Sequence, residues 1–138
     1  MDKAYSINYV DKPEWGVIGQ GISDFNKAQA GDDSANYLCF VLKGPDDEIV
    51  GGVIGATFWN WLHVDLMWIR EDVRGRGYGR QLLSLAEAEA VKRGAKHAYL
   101  DTFSFQAPNF YMKQGYEVFG ELQDFPTGHQ RYFMTKKL

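Results

Sequence analysis

Only one cysteine, Cys39, occurs in the 138 residues. It lies in the apolar run Leu38-Cys39-Phe40-Val41-Leu42, where a thiol is expected to behave as a small buried hydrophobe rather than half of a disulfide, a nucleophile or a metal ligand. Positive charge is not in excess: 15 Lys and Arg face 18 Asp and Glu, a formal net charge of −3. That balance leaves no global basic field to hold DNA or RNA by counterion release, so no nucleic-acid partner is expected. Long apolar runs are missing too, and none approaches the roughly 20 residues of a membrane span. The start Met1-Asp2-Lys3-Ala4-Tyr5 lacks the basic segment and apolar stretch of a secretory leader. These absences point to a cytoplasmic protein with no membrane partner. Internal repeats, low-complexity tracts and long linkers are also absent.

The length suits one domain over residues 1–138, since a fold of this size removes roughly 70% of its unfolded surface from water. Hydrophobic residues make up 45% of the chain and charged residues 24%, an ordinary globular mixture, but aromatics reach 15%. Such a surplus either fills a core or lines a cleft for a flat or cationic ligand. Trp15, Trp59, Trp61 and Phe125 are candidates for such a wall, with core packing the plainer alternative for each.

The pattern divides into elements in order. An opening strand is expected near Tyr5 to Val10. Pro13 starts a helical region through Trp15, Val17, Ile18, Ile22 and Phe25, weakened by Gly16, Gly19 and Gly21. Tyr37 to Lys43 and Ile49 to Phe58 flank the turn residues Gly44-Pro45-Asp46-Asp47 and predict a β-hairpin. A third extended run covers Trp61 to Arg70. Beyond a glycine-rich loop, Leu82, Leu83, Ala86, Ala90 and Val91 recur at helical spacing, and Gly94 ends that helix. His97 to Phe105 predicts a strand, Ala107 to Gln114 a short helix stopped by Gly115, and Tyr116 to Leu122 and Arg131 to Lys136 two further strands. The strands before and after the long helix should run parallel, joined by a right-handed crossover. The fold class is α/β, with a mixed and mostly antiparallel sheet.

Arg74-Gly75-Arg76-Gly77-Tyr78-Gly79-Arg80 follows a strand and opens a helix, where unpaired backbone N–H groups meet the positive end of the helix dipole. Glycines let the backbone approach an anion, and Arg74, Arg76 and Arg80 add cations, which suits a pyrophosphate better than a carboxylate. Neither familiar nucleotide loop fits. A P-loop needs Gly-x-x-x-x-Gly-Lys followed by Ser or Thr, and a dinucleotide fingerprint needs Gly-x-Gly-x-x-Gly early in the chain, whereas Gly75, Gly77 and Gly79 alternate strictly and lie mid-chain.

With Arg74-x-x-Gly77-x-Gly79 after a strand ending near Ile69, the chain resembles the Gcn5-related N-acetyltransferase (GNAT) family. Downstream, Ala107-Pro108-Asn109-Phe110-Tyr111-Met112-Lys113-Gln114-Gly115-Tyr116 is similar to that family's Ala-x-x-x-Tyr-x-x-x-Gly-Phe segment, so the resemblance spans roughly Ile49 to Phe119. It implies a central sheet with a V-shaped splay between two parallel strands, flanked by helices. It also implies acetyl-CoA as cosubstrate, its pyrophosphate on the loop from Arg74 to Arg80 and its pantetheine along Met67, Trp68 and Ile69. Where the family often carries Asn seven residues before its tyrosine, this chain has Ser104, whose hydroxyl can still donate to the cofactor. In the family scheme a backbone N–H of the Met67 to Ile69 strand polarises the acetyl carbonyl, Tyr111 protonates the departing sulfur, and no metal takes part.

For the base, strand alternation groups His63, Asp65, Met67 and Ile69 on one face, opposite Leu62, Val64, Leu66 and Trp68. Asp65, His63 and water all stay open as acceptors of the amine proton. His97 and His129 are expected to be structural or surface residues. The acceptor is expected to be a small primary amine. A CoA-binding module without turnover and a protein N-terminal acetyltransferase are the alternatives, and a homodimer stays open.

Overall fold

The computed structural model describes residues 4–138. The chain divides into two compact units, residues 1–33 and 34–138.

In the first unit a single helix, α1 (Trp15–Ala30), follows residues 4–14, which form no regular element. The expected strand from Tyr5 to Val10 is therefore not formed. Alternation of Tyr5, Ile7 and Tyr9 suits a strand, but a strand exists only with a partner, and every paired strand belongs to the second unit. Helix α1 tolerates Gly16, Gly19 and Gly21, each costing about 1 kcal/mol relative to Ala. Its pattern carries it, since Trp15, Ile18, Ile22 and Phe25 recur at helical spacing. It stops at Gly31, with φ +84° and its N–H donating to the Lys27 carbonyl at 2.9 Å.

The second unit is built on a six-stranded sheet of order β1-β2-β3-β4-β6-β5. Its strands are β1 (Asn36–Lys43), β2 (Ile49–Phe58), β3 (Trp61–Ile69), β4 (His97–Phe103), β5 (Glu117–Gln123) and β6 (Gln130–Lys137). All neighbours are antiparallel except β3 and β4. Trp59 and Asn60 both have positive φ, 44° and 64°, which is how a two-residue hairpin matches strand twist between β2 and β3. After a single 3-10 turn at Glu71–Val73 comes α2 (Tyr78–Lys92), and α3 (Pro108–Lys113) lies between β4 and β5. Gly94 and Gly115, at φ +97° and +95°, end the two helices in the left-handed conformation.

One face of α2, carrying Leu82, Leu83, Ala86 and Ala90, packs into the same core as Leu38, Val53, Leu62, Val64, Ala98, Leu100 and Met134. Val91 stays exposed, outside that stripe. Cys39 is exposed, contrary to expectation. The run around it is a half-buried strand: Leu38 points into the core, so its neighbour must point the other way. A polar bridge joins α2 to the sheet, where the Tyr116 hydroxyl donates to Glu87 at 2.9 Å and Lys136 pairs with the same carboxylate at 3.0 Å.

Two irregularities on β3 shape its free edge. Parallel pairing with β4 covers only Trp61↔His97, Leu62↔Ala98 and His63↔Tyr99, after which the strands part in the expected V. On its other side β3 slips against β2: Ile54 pairs with Leu66 but Gly55 with Val64, so Asp65 is an extra, bulged residue. Gly55 makes room for this, because a Cβ there would lie 2.6 Å from the His63 carbonyl oxygen.

Candidate active site

The bulge corrects the facing of β3. Leu62 and Val64 point into the core, and beyond Asp65 it is Met67 and Ile69 that pack on that core, while Leu66 and Trp68 are exposed. His63 therefore does not share a face with Met67 and Ile69, because one inserted residue shifts the period-2 pattern by a step. Its ring stacks instead on Tyr99, centroids 4.5 Å apart.

A cleft of about 750 Å³ opens where β3 and β4 diverge. Val64 to Ile69 line one side, Leu100, Asp101 and Thr102 the other, Phe110 and Tyr111 of α3 close part of it, and Arg74, Gly75, Gly77, Tyr78, Gly79 and Arg80 form its end. Because β4 has left the ladder, the β3 edge from Val64 onward has no strand partner on this side, leaving main-chain donors and acceptors open to an extended ligand.

The loop is held in the shape its glycines allow. Gly75 and Gly77 have φ +76° and +85°, and Gly77 caps α2 without any side-chain hydrogen bond to the first turn. No acidic residue stands in that turn, and the first helical bond outside it runs from the Gln81 N–H to the Gly77 carbonyl. The preceding amides are thus available to an anion. Gly79 lets α2 sit close, since a Cβ there would be 3.4 Å from both Ile69 Cδ1 and the Phe110 ring. The arginines part company. Arg74 lines the cleft while its Nε donates to the Ile69 carbonyl at 2.7 Å, and Arg80 lines it as well. Arg76 does not, and its Nη2 donates to the Asp72 carbonyl at 3.3 Å. Ser104 also lies off the cleft wall, its hydroxyl accepting the Gln130 N–H at 3.1 Å.

Tyr111 is 8% exposed, with Phe110 and Tyr116 edge-on to its ring. Its hydroxyl bonds to no described residue, yet no buried side-chain polar atom among them is left without a partner, so the oxygen reaches the open cleft. Burial, and then the Asp101 carboxylate, push its pKa above the ordinary tyrosine value. Tyr99 is raised in the same way by burial, Asp101 and Asp65. Asp65 lines the cleft and makes no ion pair with any described residue.

Asp101 is the site residue that sequence reasoning missed. It sits on the polar side of β4, where Ala98, Leu100 and Thr102 point inward. A lone carboxylate in the middle of an otherwise aromatic strand face was the available signal. Of the aromatics proposed as cleft walls, Trp61 stacks on His97 and Phe125 packs on Phe103; Phe105 and Phe110 line the cleft instead. His129 sets its edge against Phe105. Among the described residues no three His, Cys, Asp or Glu side chains gather to hold a metal ion.

A mostly antiparallel sheet, two splayed parallel strands and an uncapped helix N-terminus facing the splay define an acyl-CoA N-acyltransferase type of architecture. Residues 4–116 match the family model described as Acetyltransferase (GNAT) family. The chain belongs to that family and is an acetyltransferase of its type. It is 38% identical over 105 residues to a blasticidin-S acetyltransferase of Streptomyces morookaense, covering 75% of this chain and 74% of the relative. A streptothricin acetyltransferase of Streptomyces lavendulae is 31% identical over 72% of this chain and 54% of its own length. A crystal structure of an acetyltransferase from Bacillus cereus ATCC 14579 superposes with a TM-score of 0.90 at 35% identity, covering 97% of this chain and 98% of that one.

Proposed function

We propose that this chain transfers the acetyl group of acetyl-CoA to a primary amine of a small molecule, with Tyr111 as general acid and Asp65 taking the amine proton through water. The observation that carries this reading is a single cleft joining a helix start without a side-chain cap, an open strand edge and a tyrosine hydroxyl that reaches the cleft. The residues present fit the cosubstrate. Gly75, Gly77 and Gly79 with Arg74 and Arg80 suit a pyrophosphate, and the free edge of Met67 to Ile69 suits the amide-bearing pantetheine arm. When bound, the cosubstrate supplies an activated thioester.

Chain residues do the rest. A main-chain N–H on the open β3 edge polarises the carbonyl while the neutral amine nitrogen attacks its carbon; the C–N bond forms and the C–S bond breaks. Tyr111, kept protonated by its raised pKa, gives its proton to the departing sulfur. The nitrogen loses its proton through water to Asp65. Relatives named for blasticidin S and streptothricin support a small-molecule acceptor over a peptide.

The test is thiol release from acetyl-CoA with a panel of blasticidin S, simple alkylamines and a peptide with a free N-terminus. Amine-dependent release is expected with the small molecules, and Tyr111→Phe should slow it by about 10²- to 10⁴-fold at similar acetyl-CoA affinity. Saturable CoA binding without release from any amine would instead mark a binding module. Near-normal kcat for Tyr111→Phe would assign the sulfur's proton to water.

A further inference from the structure

Asp101 faces the same cleft as Tyr111 but has no part in the proposed transfer steps. Its environment is unusual for a strand carboxylate. The Arg131 Nε and Nη2 both converge on one oxygen, Oδ1, at 2.9 and 2.8 Å, and Oδ2 accepts no hydrogen bond from any described residue. Arg131 is itself fixed, its guanidinium 5.1 to 5.3 Å from the centres of the Phe103, Phe125 and Phe133 rings. Both members of the pair keep about a quarter of their side-chain surface exposed, 28% for Arg131 and 26% for Asp101. The result is a carboxylate locked in orientation on one oxygen and free on the other. Phe105, stacked on Phe103 at 5.4 Å, adds an aromatic face to the cleft wall.

The chemistry of transfer narrows what that free oxygen is for. A reacting amine attacks only when neutral, so a carboxylate placed to hold a lasting positive charge serves a different group of the same acceptor. Resting on the acetyl-transfer reading, we propose that Asp101 is a specificity-determining residue that binds, through Oδ2, a second cationic group of the acceptor, and that Arg131 is its positioning residue. The favoured substrates are then small molecules with two basic groups, one acetylated as the free amine and the other held as a cation. The aromatic rings around Arg131 hold its guanidinium in place on Oδ1, against the repulsion of a cation bound at Oδ2.

A matched pair of acceptors tests this, 1,4-diaminobutane and 1-aminobutane, which differ by one ammonium. The wild-type protein should favour the diamine in kcat/KM, chiefly through KM. Asp101→Asn should cut that preference by about 10- to 100-fold, the scale of a lost hydrogen bond to a charged group. Arg131→Met should reduce it as well, and Arg131→Lys should restore part of it. Melting temperature and CoA affinity, read on the same variants, separate positioning from folding: a purely structural Arg131 would lower the melting temperature and depress both amines equally. That equal loss, or a preference untouched by Asp101→Asn, overturns the proposal while leaving acetyl transfer standing. A wild-type protein that releases no thiol with any amine overturns the transfer reading itself and this inference with it.

Discussion

Replacing Gly77 by alanine isolates the backbone conformation of the glycine-rich loop proposed to hold the phosphates. Gly77 has φ +85°, and a Cβ built there meets nothing within 4 Å, so the methyl group is not obstructed and the whole penalty is conformational. Holding an L-residue in the left-handed region costs about 1–2 kcal/mol. That strain has two outlets. If the loop stays put, the folded state bears it and global stability falls by the full amount. If the loop relaxes, stability is kept but the amides at the start of α2 no longer converge on an anion, and CoA must restore the strained shape when it binds. With no neighbour against the added Cβ to hold the loop, relaxation is the easier route. Expected, then, is a Kd for CoA raised by about 5- to 30-fold with little change in unfolding free energy. Isothermal calorimetry with CoA, beside urea unfolding of both proteins, reads the two outlets separately. Unchanged affinity together with unchanged stability would refute the reasoning, since the strain would have gone nowhere.

The arginines of the loop should be unequal: Arg74→Ala is expected to weaken CoA about tenfold or more beyond Arg76→Ala, because Arg74 lines the cleft and Arg76 does not. A pantetheine lacking phosphates should discriminate far less between the two variants, and equal losses for CoA and pantetheine would contradict the phosphate assignment. Away from the site, Tyr116→Phe removes the hydroxyl that donates to Glu87 and should lower unfolding free energy by about 1–3 kcal/mol. Tyr99, Tyr111 and Tyr116 all have raised pKa values, chiefly from burial. Their contribution is complete below the unfolded tyrosine value of about 10 and is lost as pH rises through the folded values, because the unfolded chain releases those protons first. Urea unfolding from pH 9 to 11 should show stability falling above pH 10, less steeply in Tyr116→Phe; identical slopes would remove Tyr116 as a contributor.

Much of the fold was legible because the relevant signals are local. Turn chemistry at Gly44-Pro45-Asp46-Asp47 set the first hairpin, and the spacing of Leu82, Leu83, Ala86 and Ala90 fixed both α2 and its buried face. What failed depended on partners remote in sequence. Tyr5 to Val10 alternates like a strand, but its own residues cannot say whether an edge exists to receive it. Cys39 was misplaced for a related reason: five consecutive apolar residues hide which alternate set is inward, and Leu38 in the core decides it.

At the site, the loop proposed to hold phosphates could be picked out because its chemistry lies in seven consecutive residues, while the proposed acceptor side could not, because it is assembled across β3, β4 and β6. Asp101 acquires its meaning from Arg131, thirty positions away in the chain. Asp65 is the harder case. A period-2 reading of β3 is correct up to Val64 and wrong by one step afterward, and the insertion responsible is Asp65 itself. The glycines of β2 hint that something approaches closely, yet only the position of Gly55 against the His63 carbonyl shows which strand carries the extra residue. The insertion does two things at once: it turns Met67 and Ile69 toward the core side, and it leaves a carboxylate on the cleft wall, unpaired by any cation among the described residues. A residue that is both the geometric defect and the charged group cannot be assigned by side-chain chemistry alone, since the regular pattern that sets Asp65 beside His63 also sets Met67 and Ile69 there, and only the bulge separates them.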